Sequence, residues 1–218
     1  MFIELSLVEG LGLIGKLLPQ LKTFTGARRR EYFDKLLTPL FESLEGVHKS
    51  YDQLFIQTRD KLSQLKLDAA QEAGVEAGSV TGDTLKALEN IKEEFSRLRR
   101  TDESFRDTVR RDAQEDLANI SWAEERRFLV VVGHYFLRAW PIRPDDDSLD
   151  REIQSLIEHG GRDRWPTPST RFYGEIQHSA NIGQIIEILD KARDDLNERW
   201  VHVHARYRRV AVLLIKET

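Results

Sequence analysis

The feature that most constrains this chain is a run of apolar residues stepping alternately by four and three: Phe33, Leu37, Leu40, Leu44, Val47, Tyr51 and Leu54. That spacing returns side chains to one side of an α-helix every two turns, and a strand of period two cannot produce it. A seam kept over three repeats has to be covered by another helix, from the same chain or from a second one. The helix that carries it is predicted from about Ala27 to Leu67. Pro39 falls inside it, and the unbroken register favours one helix kinked at the proline over a fresh start capped by Thr38.

Similar spacings recur along the chain. Ile3, Leu7, Leu11, Ile14 and Leu18 step by 4, 4, 3 and 4, with Phe2, Leu5, Val8, Leu13 and Leu17 widening the stripe. The first expectation is a helix buried in the fold. The same five residues are the candidate docking face for a partner if the fold leaves them uncovered. Shallow membrane insertion is disfavoured because the helix has no Lys/Arg-rich polar face. A bilayer span needs about 20 apolar residues, and Glu4, Glu9 and Lys16 interrupt this one. Its acidic start also argues against a secretory signal.

Residues 71–82 hold three of the 13 glycines and read as a loop. A third helix is predicted from Asp83 to about Ala118, with Leu85, Leu88, Ile91 and Phe95 inward. Ser121 followed by Glu124 is a capping-box pattern, which places a fourth helix from Trp122 to about Ala139. Its FLVVVGHYFL core is apolar nearly all round and should be the most buried segment. Pro141 to Pro144 and the aspartates after them break the chain. A short helix over 149–159 and a last helical region over 171–216 follow, with Ser179 as a candidate restart cap. No segment shows strand alternation. The expected fold is all-α, an antiparallel helical bundle with long coiled-coil-like helices. It is a single helical domain over 1–218, divisible at most into 1–140 and 145–218.

Composition removes several chemistries. The chain has no Cys, which excludes thiolate catalysis, cysteine-ligated zinc and iron–sulfur clusters. Its 33 Lys+Arg against 37 Asp+Glu give a net charge of −4, and a pI near 5.9 argues against a broad phosphate footprint. Arg28, Arg29 and Arg30 are the candidate nucleic-acid contacts; Arg97, Arg99, Arg100, Arg110 and Arg111 are interleaved with acids, and Arg206, Arg208 and Arg209 read as a solvated helix face. Nucleic-acid binding is therefore an alternative and not the favoured reading.

Four motifs point to specific sites. Gly10, Gly12 and Gly15 match the spacing of a dinucleotide fingerprint, but that motif requires a preceding strand in a parallel sheet, and close helix packing is the expected role here. Glu45/His48 and Glu175/His178 are two Glu-x-x-His pairs, the pattern that carboxylate di-metal bundles use, so these four are the alternative metal ligands. His202 and His204 diverge on a helix and cannot chelate together. Arg followed five to seven residues later by His resembles the signature of the HEPN ribonucleases. It occurs at Arg127/His134, Arg171/His178 and Arg199/His204, and Trp200 stands where that family has a polar residue. The resemblance implies a dimeric ribonuclease with Arg199 and His204 as the alternative catalytic pair.

The stretch RREYFDKLLTPLFESLEGVHKSYDQLF, residues 29–55, resembles small helical proteins encoded beside bacterial antiphage defence genes. That resemblance implies a cytoplasmic accessory subunit. The leading expectation is a non-catalytic interaction subunit of a multi-protein complex, which associates with a protein partner or with itself, without a cofactor and without a transmembrane segment.

Overall fold

The computed structural model describes residues 2–23, 31, 33–72, 82–94, 96, 117–120, 122–137, 145–159, 170–179 and 181–216. Every element among them is helical: α1 (Phe2–Thr23), α2 (Thr38–Glu72), α3 (82–94), α4 (Ala123–Leu137), α5 (Asp146–His159), α6 (Thr170–His178) and α7 (Ile182–Lys216). The chain is all-α, as its periodicity requires. Among the described residues no helix is long and apolar enough to cross a membrane.

The path through Pro39 is unbroken. A π-helical turn, Phe33–Leu37, runs directly into α2. Pro39 has no N–H to give and its ring crowds the carbonyl four residues back, so a widened turn just upstream absorbs both demands. The carbonyl of Pro39 accepts the Ser43 hydroxyl at 2.7 Å. From Leu37 the predicted seam is buried through Leu40, Leu44, Val47 and Tyr51. It then passes to Phe55, Thr58 and Leu62, leaving Leu54 only half-buried. A straight helix of 3.6 residues per turn drifts off a strict heptad in this direction.

α2 is sandwiched between α1 and α7, and α7 packs α4 on another side. α2 and α7 run antiparallel: Thr38 meets Tyr207, Phe41 meets Trp200 and Tyr207, Asp52 pairs with Arg193, and Arg59 pairs with Asp190. α1 lies on α2 closely enough that a Cβ on Gly10 would fall 2.7 Å from Val47 Cγ2. The three glycines of α1 thus sit inside a helix, with no strand before them. Leu11, Ile14 and Leu18 are at most 1% exposed. This corrects the docking expectation for those three residues, whose seam is spent on the chain's own core. The side chains of Ile3 and Leu7, and all of Arg28, Arg29 and Arg30, lie outside the described residues.

The helix ends differ from their predicted positions in instructive ways. Trp122 O, one residue later than Ser121, accepts the first backbone bond of α4, from Arg126 N at 3.2 Å. α5 begins three residues earlier than predicted, because Asp145 caps it: Asp145 O accepts Leu149 N–H and Asp145 Oδ1 accepts Ser148 N–H. The aspartates read as a break are a cap and a first turn. Between α6 and α7 the cap is Asn181 and not Ser179, with Gln184 N–H on Asn181 Oδ1 and Ile185 N–H on its carbonyl. Lys92 of α3 closes the end of α6 by donating to Gln177 O and Ser179 O. In α3 it is Thr84 and Leu88 that point inward, while Leu85 is 44% exposed. Residues 128–136 of α4 are all buried, as their composition predicts.

Candidate functional site

Two chemically distinct layers lie beneath α7. The first is a ladder of rings between α2 and α7. Tyr207 stacks on Phe41 at 3.9 Å between centroids, Phe41 on Trp200 at 5.4 Å, and Trp200 on His48 at 4.7 Å. Stacked rings of this kind add about 0.5–1.5 kcal/mol per pair beyond their buried area. His48 Nδ1 and the Tyr135 hydroxyl share a hydrogen bond at 3.2 Å, which ties the ladder to α4. Burial lowers the His48 pKa to about 4, against the raising influence of Asp52 and Glu45. The imidazole is therefore neutral near pH 7 and acts as a packing ring.

The second layer is ionic. α5 starts beside the first turn of α4, and the C-terminal half of α7 reaches both. Arg127 donates to Glu124 at 2.6 Å and to both oxygens of Asp150, and Arg206 reaches Asp146 at 2.6 Å. Arg209 adds contacts to Glu124 and Asp146. Three arginines thus face three carboxylates, and the formal charges cancel. Glu124 and Asp146 also sit in the first turns of α4 and α5, where the helix dipole favours an anion. The hydrogen bond to Asp150 foremost holds the Arg127 pKa above its ordinary value. Burial works against the Asp146 carboxylate, but the bond from Arg206 and the three arginine charges outweigh it and keep its pKa low. Further along the same pair of helices, His134 Nε2 and Glu152 Oε1 lie 2.7 Å apart, with side chains 0% and 7% exposed. Replacing a buried ion pair by well-packed apolar side chains is often neutral for stability, whereas removing one partner is costly.

These contacts decide where the sequence candidates stand. Arg199 is 3% exposed and gives its Nε–H to Asp195 O at 2.9 Å on its own helix. His204 is half-buried against Phe41 and Trp200. Five residues on a helix separate side chains by about 140°, so Arg199 and His204 diverge and do not share a cleft. Arg127 and His134 do share a face, but Asp146, Asp150 and Glu152 of α5 cover it.

The two Glu-x-x-His pairs are equally separate. Glu45 pairs with Lys49 at 3.1 Å and His48 is in the ladder, whereas His178 bonds Gly174 O on α6. Ile176 of α6 borders the same small apolar gap as Leu62 of α2. Leu62 lies 14 residues beyond His48, which is about 21 Å along a helix, so no pair of metals could bridge the two motifs. Among the described residues no group of three His, Asp or Glu side chains is arranged to hold a metal.

The outer face of α7 remains. Every third or fourth residue from Gln184 to Val212 is exposed, and the first part of the stripe is polar: Gln184, Glu187, Lys191, Asp194 and Glu198. From Val201 the character changes to Val201, Ala205, Arg208 and Val212, with Val201 63% and Val212 48% exposed. The sequence reading followed the inward seam of α7 and passed over this second stripe. The same three-four spacing, applied one face away, finds it. No family model, curated protein or solved structure matches the chain.

Proposed function

We propose that this protein is a non-catalytic interaction subunit that joins a larger assembly through the outer face of α7. The observation that carries this reading is the exposed Val201–Ala205–Val212 stripe on a helix whose other sides are held by α2 and α4. A solvated helix face is ordinarily polar, as the earlier turns of this same helix are, and apolar residues aligned on one exposed face mark contact surfaces. The resemblance of residues 29–55 to helical proteins encoded beside antiphage defence genes supports placing that assembly in bacterial antiviral defence, in the cytoplasm.

The test is native mass spectrometry of the chain purified gently from the cell that encodes it, with a Val201→Glu/Val212→Glu variant in parallel. The expected result is an assembly heavier than one chain for the wild type and the bare chain for the variant, with unchanged helical circular dichroism. A wild-type chain that runs as a bare monomer overturns the reading.

A further inference from the structure

We infer that the occupant of this face is a second copy of the chain, with the two α7 helices packed antiparallel about a two-fold axis near Val203. The inference rests on the interaction reading above and names its partner. The argument is charge complementarity about the apolar patch. Glu198 lies one turn before Val201 and Arg208 one turn after Ala205, with Val212 a turn further on. Both are exposed, and neither makes an ion pair among the described residues.

An isologous contact sets each residue against its mirror position. With the axis at 203, Val201 faces Ala205 of the other copy, and Glu198 faces Arg208 of the other copy. Both pairs occur twice by symmetry. Ala205 is small enough to let the helices approach, and the carboxylate and guanidinium flank the two Val201–Ala205 pairs on either side. A parallel pairing would set Glu198 against Glu198 and Arg208 against Arg208, so the charge order selects the antiparallel arrangement. Two to three turns of one helix bury an area at the low end for protein interfaces, which fits a reversible dimer.

Sedimentation equilibrium of the purified full chain tests this. The wild type is expected to be a concentration-dependent dimer. Arg208→Glu alone and Glu198→Arg alone each place like charges opposite, twice, and should raise the dissociation constant about tenfold or more. The double variant Glu198→Arg/Arg208→Glu restores opposite charges and should return the constant to within about threefold of wild type. Both sites are solvent-facing, so unchanged circular dichroism separates lost pairing from lost folding.

A dimer indifferent to either single reversal, or one that the double variant fails to restore, overturns the inference. A wild-type chain that stays monomeric yet co-purifies with a different protein also overturns it, while leaving the subunit reading in place. A monomer that co-purifies with nothing ends both.

Discussion

Replacing His134 by Leu should cost far more than its size implies, and replacing Glu152 as well should return most of the loss. His134 is fully buried, Glu152 is 7% exposed at its side chain, and one 2.7 Å contact joins them. Glu152 Oε2 has no hydrogen-bond partner among the described residues. Its carboxylate therefore leans on His134, and removing the imidazole leaves a buried charge without that compensation, at a cost of about 3 kcal/mol or more. Glu152→Leu leaves a buried N–H without its acceptor, which costs about 2 kcal/mol. The double Leu variant removes both penalties and adds apolar contact inside a core already made of Leu, Val and Phe. It should lie within about 1 kcal/mol of wild type. The non-additivity is then about 4 kcal/mol, well above the few tenths seen for independent sites. Urea unfolding at pH 7, followed by helical circular dichroism, reads all four corners of the cycle. Additive losses, or a His134→Leu variant within about 1 kcal/mol of wild type, would refute the reasoning.

Three further outcomes follow from particular contacts. Unfolded His48 takes up a proton below about 6.5, but the folded residue does so only below about 4. Protons therefore favour the unfolded chain in that window, and stability should fall by up to about 3 kcal/mol between pH 6.5 and 4. A His48→Leu variant should show a flatter pH profile there, and an unchanged slope would count against the buried neutral imidazole. The carboxylates of Asp52, held down first by its bond to Arg193, and of Asp150, held down first by Arg127, act lower on the scale. Their contribution is present above about pH 4 and is lost as the pH falls below it, so acid unfolding should steepen there, and Arg193→Met should soften that second limb. In α1, Gly10→Ala collides with Val47 and should cost about 1–2 kcal/mol despite the helix preference of alanine, whereas Gly12→Ala and Gly15→Ala meet nothing within 4 Å and should gain up to about 1 kcal/mol each in thermal or urea unfolding.

Much of the fold was legible because helical periodicity is a local signal. The seams of α2 and α7, the buried run Phe128–Phe136 and the absence of strand patterning all carried over to the structure. Boundaries were less legible where several polar residues competed for one cap. Asp145 and Asn181 won over positions that looked equally able, because only the fold decides which side chain meets the free N–H groups. The site was harder still. Pairing of Arg127 and Arg206 with Asp146, or of His134 with Glu152, joins residues 18 to 60 positions apart, and no spacing rule encodes that. The motifs that did stand out in the sequence, Glu45/His48 with Glu175/His178 and Arg199/His204, were local coincidences that the packing separates. Val201, Ala205 and Val212 were readable in principle, but a weak outward stripe is masked by the stronger inward seam of the same helix.

The most direct test of the central claim is site-specific photocross-linking inside the cell that encodes the protein, with the photoreactive residue at Val201 and, as a control, at exposed Gln53 of α2. The account predicts a discrete adduct from position 201, at twice the chain mass for self-pairing, and none from position 53. A folded chain that yields no adduct at 201, or yields the same adducts from both positions, would contradict it.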